Sequence, residues 1–148
     1  MGSKNKEMSI EKGGLIMIEE AYVSFEVAKL LKAKGFLLEC CSFGVYEYGQ
    51  FKLAQYPMAM NVFDGDRVIS APTQQMACEW LRKEQNLSVE VYRTACGWIG
   101  CVVAIPSGTD IKFLEENGDD PASGQYTTHI KACEATIKYC LENLVKED

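Results

Sequence analysis

The sequence predicts an α+β domain: an antiparallel sheet with about three helices, in the order α, strands, α, strands, α, the helices lying mainly on one face. Three observations predict it. Apolar residues recur at helical spacing in three places, each behind a Ser or Thr placed to cap. The intervening segments are rich in branched and aromatic residues and alternate with period two after residue 87. The chain has 148 residues, 47% hydrophobic and 24% charged, and a chain of this length buries roughly 70% of its unfolded surface in one core.

Residues 1–20, opening MGSKNKEMSIEKGG, lack any apolar period and are expected to form a flexible leader, leaving 21–148 as a single domain. Ser24 is placed to cap a helix running to Lys34, with Phe25, Val27, Ala28, Leu30 and Leu31 on its apolar side and Gly35 as the stop. Two or three short strands follow between Phe36 and Ser70, punctuated by Gly44, Gly49, Pro57 and Asp64-Gly65-Asp66. Thr73 is the next cap. Its helix buries Met76, Ala77, Trp80 and Leu81 and exits near Asn86.

Leu87, Val89 and Val91 alternate with Ser88, Glu90 and Tyr92, the mark of a half-buried strand. After a turn at Cys96-Gly97, the run Trp98 to Ile105 is almost continuously apolar, which predicts a central strand covered on both faces. Ile111 to Leu114 reads as a short edge strand, and residues 115–125 as an acidic, glycine-bearing loop. Thr127 or Thr128 then caps a last helix whose stripe is Ile130, Cys133, Ile137, Cys140, Leu141 and Leu144.

The formal net charge is −6, and residues 70–148 hold seven basic and twelve acidic side chains against eight and nine in residues 1–69. A surface that neutralises phosphates needs a basic surplus, so the acidic second half disfavours nucleic acid and anionic membrane as partners. No apolar run approaches the roughly 18 residues of a spanning helix. The run Leu15 to Ile18 is shorter than the core of about 7–15 residues in a signal peptide. The expected location is the cytoplasm.

Seven cysteines, an odd number at irregular spacing, do not form a secreted disulfide framework and are expected to be reduced and mainly structural. The adjacent Cys40 and Cys41 are neither a CxxC pair nor a zinc knuckle. One metal-like arrangement exists: Cys96 and Cys101 in a loop-strand segment, with His129 and Cys133 at i and i+4 on a helix. The competing reading is a hairpin that separates Cys96 from Cys101 and a core stripe that claims Cys133. A single histidine excludes sites that need two, and His129, in the first turn of a helix, sits where the dipole disfavours imidazolium. No cysteine is marked as a nucleophile, no catalytic residue is assigned, and no cofactor is expected. The reading leans away from an enzyme.

Glu115, Glu116, Asp119 and Asp120 lack the calcium-loop pattern and read as a solvated loop or a partner-facing patch. Tyr92 and Trp98, amphipathic rings near a turn, are candidate interface anchors, whereas Trp80 belongs in the core. From Thr73 onward the order of helix, strands and helix is also that of the double-stranded-RNA-binding domain. That module's lysine pair at its last helix is here a single Lys131.

The segments SFEVAKLLKAKGF (24–36), SAPTQQMACEWLRKEQN (70–86) and TTHIKACEATIKYCLENL (127–144) resemble a family of small uncharacterised proteins encoded by phages and mobile elements of gut bacteria. The family pattern is an "ELAKxLKExGF" helix, a "PTxxxxxxWLRE" helix, a β region and a closing "AIKYxLENL" helix. Thr128-His129-Ile130 stands where the family is more acidic. The resemblance speaks to fold and implies no catalytic residue. The expected role is that of a small accessory protein of a phage or mobile element that acts by binding another protein, through Tyr92 and Trp98 or the acidic loop, with a homodimer as one arrangement. Nucleic-acid binding by the second half, and a thiol or metal enzyme, stand as alternatives.

Overall fold

The computed structural model describes residues 18–36 and 42–146. The leader through residue 17 and the Cys40-Cys41 pair lie outside the described residues. Helix α1 (Phe25–Ala33) starts where the Ser24 hydroxyl accepts the Val27 N–H at 3.2 Å. It ends at Lys34, and Gly35 follows with φ +99°, a conformation that glycine adopts without a Cβ clash. Strands β1 (Ser42–Glu47), β2 (Gln50–Met58) and β3 (Val68–Ser70) form a first antiparallel sheet in the order β2-β1-β3. Helix α2 (Gln74–Gln85) is capped by Thr73 and closed by Asn86 in the left-handed region, φ +56°.

Strands β4 (Leu87–Arg93), β5 (Trp98–Ala104) and β6 (Asp110–Leu114) form a second antiparallel sheet in that order. Helix α3 (His129–Asn143) closes the fold, with Thr128 as its cap. The α+β class holds, with the strands divided between two three-stranded sheets.

Helix α3 lies across β4 and β5, α2 packs against β4 and α3, and α1 bridges β3 and α3. Their shared core contains Val27, Leu31, Phe36, Ile69, Leu81, Val102, Ile137 and Leu141. Gly100 lets α3 approach β5 closely: a Cβ there would fall 1.8 Å from the Thr136 hydroxyl oxygen. Trp80 is buried, its ring edge-on to Phe36 at 5.6 Å. Ile130 departs from the expected stripe. It is 53% exposed, and the buried α3 stripe runs instead through Ala132, Cys133, Thr136, Ile137, Cys140 and Leu141. Ile130 occupies the first turn of α3, on the side turned away from the core.

Among the described residues no helix is long and apolar enough to cross a membrane.

Candidate functional site

Register decides which side chains share a face of the second sheet. Arg93 pairs with Trp98, Tyr92 with Ile99, Glu90 with Cys101 and Ser88 with Val103 across β4 and β5, and Cys101 pairs with Phe113 across β5 and β6. Leu87, Val89, Val91, Gly100 and Val102 belong to the face that the helices cover. By alternation the opposite face carries Ser88, Glu90 and Tyr92 from β4, Ile99, Cys101 and Val103 from β5, and Phe113 from β6. No described helix or strand packs over it.

This face is apolar where a solvated one would be polar. Tyr92 is 44% exposed and Phe113 42%, with Ile99 and Val103 half-buried. Cys101, at the centre, is buried beneath these larger neighbours. Its thiol is pushed up to about 11, first by burial and then by the Asp110 carboxylate, whose oxygen accepts from the sulfur at 3.8 Å. The Tyr92 phenol is likewise held above its ordinary value, mainly by desolvation and then by charge at Cys101, Glu90 and Asp110. The charged groups of the face are thus Glu90 and Asp110, both acidic. Ser88 donates its hydroxyl to Glu90 along the β4 edge.

The residues singled out from sequence are distributed differently from the pattern expected. Tyr92 and Trp98 fall on opposite faces, because adjacent register pairs alternate, so they do not form one patch. Trp98 is half-buried. Its ring meets His129 edge-on at 5.2 Å and carries the Arg93 guanidinium 5.8 Å from its centroid.

The acidic loop is partly consumed by its own architecture. Asp119 accepts from the Thr127 N–H at 3.0 Å, the Thr127 hydroxyl at 2.6 Å and the Lys131 ammonium at 3.0 Å, which hold its carboxyl well below the ordinary carboxylate range. Asp120 accepts from the Ala122 N–H and the Ser123 hydroxyl. Glu115 and Glu116 are exposed at the start of the loop.

Cys96, Cys101, His129 and Cys133 do not converge. Cys96 stands at an exposed turn, Cys101 under the open face, His129 on Trp98, and Cys133 in the core beside Cys78. Among the described residues no group of three or more His, Cys, Asp or Glu is placed to hold a metal ion.

Ile99, Val103 and Phe113 complete the face and were not singled out from sequence. The signal for Ile99 and Val103 was present in the two-sided apolarity of β5, which predicted cover on both faces where the described structure supplies one, and Phe113 lies in the segment read as a short edge strand. Comparison with protein-family models, curated proteins and solved structures finds no match to this chain.

Proposed function

We propose that this protein works by binding another protein through the open face of its second sheet, as a small accessory protein of a phage or mobile element. The observation that supports this most is the composition of that face: Tyr92, Ile99, Cys101, Val103 and Phe113 are contiguous and apolar, yet no described element covers them. Exposed apolar patches of this kind mark interaction surfaces, and aromatic rings at their centre carry a large share of binding energy. Because Glu90 and Asp110 are the face's charges, the fitting partner has an apolar centre and a basic margin. A second copy docking through the same face would bring the same two carboxylates against Glu90 and Asp110, which favours a heterologous partner over a homodimer of this kind.

Duplex RNA is a second reading, supported by the order α2, β4, β5, β6, α3 with both helices on one side of a three-stranded sheet. The charge argues against it: Lys131, the candidate phosphate ligand, is already held by Asp119. Tagged wild-type chain and a Tyr92→Glu/Phe113→Glu variant, used in parallel to capture proteins from producing cells, separate the readings. A protein retained by the wild type and lost by the variant supports the proposal. Equal retention, or a gel shift with duplex RNA at low salt that the variant keeps, overturns it.

A further inference from the structure

We propose that Cys78 and Cys133 form a peroxide-oxidisable dithiol, a modification site in which a hydroperoxide closes a disulfide that ties α2 to α3. The two sulfurs lie 3.9 Å apart, one from each helix, although 55 residues separate them in sequence. Bond formation requires them to close to about 2.05 Å. Both line a cleft of about 600 Å³ that is also bordered by Gln74, Arg82, Glu90 and His129, so a small oxidant reaches them from solvent. Cys78 is 8% exposed and Cys133 6%, whereas Cys101 and Cys140 are at 0%.

The surroundings give the two sulfurs different roles. The two sulfurs share a hydrogen bond in which either can donate; with Cys133 donating, that bond and then the Arg82 guanidinium hold the Cys78 thiol below its ordinary value against burial and the Glu90 carboxylate. The same hydrogen bond, with burial, pushes Cys133 strongly up. The Cys140 thiol is pushed up to about 12, chiefly by burial. The Arg82 guanidinium acts on Cys78 and the Glu134 carboxylate on Cys133, which assigns Cys78 as the attacking thiolate and Cys133 as the protonated resolving thiol.

In the first step the Cys78 thiolate attacks a peroxide oxygen. An S–O bond forms, the O–O bond breaks, and the departing oxygen takes up the proton that Cys78 released, leaving as an alcohol or as water. In the second step the Cys133 sulfur attacks the Cys78 sulfur, the S–S bond forms and the S–O bond breaks. Hydroxide leaves with the Cys133 proton as water. The dithiol loses two electrons and the hydroperoxide gains them.

Trypsin separates the relevant cysteines, since Cys78 falls in peptide 68–82, Cys133 in 132–138 and Cys140 in 139–146. Hydrogen peroxide added to the reduced full chain is expected to join 68–82 to 132–138 with the loss of two hydrogen atoms, reversibly on addition of dithiothreitol. A Cys133→Ser variant is expected to stop at a Cys78 sulfenic acid that dimedone traps. Linkage of 68–82 to 139–146 instead, or oxidation of the exposed Cys96 ahead of Cys78, would overturn the proposal. So would the absence of any linkage. The wild-type peptide map decides the matter even if the serine variant fails to fold.

Discussion

At the scale of single residues, two positions test how the fold holds its loop and its closest packing. Gly100→Ala places a methyl group where Thr136 stands, so α3 must lift from β5. Overpacking of this kind costs about 1–3 kcal/mol, and Thr136→Ala in the same chain should restore part of the loss, as a thermal melt of the three variants will show. Asp119 governs an acid limb. Its folded carboxyl lies below the ordinary value of 3.8 because Thr127 and Lys131 bind the ionised form. The unfolded chain therefore takes up protons first, and the stabilisation, complete above that ordinary value, is lost as pH falls through the lower folded value. Asp119→Asn should flatten the dependence of melting temperature on pH below about 4, leaving the profile near neutrality parallel to that of the wild type.

At the scale of elements, caps and helix stripes were legible because they rest on local chemistry. Ser24, Thr73 and Thr128 each accept a backbone N–H three residues on, and Asn86 ends α2 where an exit was expected. Thr73→Ala is expected to cost about 1 kcal/mol in chemical denaturation, with m unchanged. What escaped the sequence was register. Whether Tyr92 and Trp98 share a face depends on the alternation of a strand that is apolar on both sides, and apolarity alone gives no phase. The same ambiguity hid Phe113 as a neighbour of Cys101. The division into two sheets was also illegible, since it depends on which distant strands meet. Edge strand β2 shows the same limit. Leu53 and Tyr56 are each 67% exposed there, and Lys52 and Pro57 are residues that edges use to resist further pairing.

At the scale of the molecule, two three-stranded sheets depend on helices that serve both. Helix α1 joins β3 to α3, and Phe36 from the first half packs on Trp80 of the second. Because both sheets share these helices and one core, tryptophan fluorescence and far-ultraviolet circular dichroism should report one coincident unfolding transition. Separate transitions would mean that the sheets fold independently. The chain's acidity, legible from composition, belongs to the same scale: it weighs against phosphate-bearing partners and agrees with the carboxylates on the open face.

The central claim is that this face receives a protein partner. Isothermal titration of the captured, purified partner with wild-type chain and with Phe113→Lys tests it most directly. Phe113 is 42% exposed on an uncovered face, so its replacement should change stability by about 1 kcal/mol or less while weakening binding by about tenfold or more. An unchanged affinity in a variant that melts like the wild type would contradict the account.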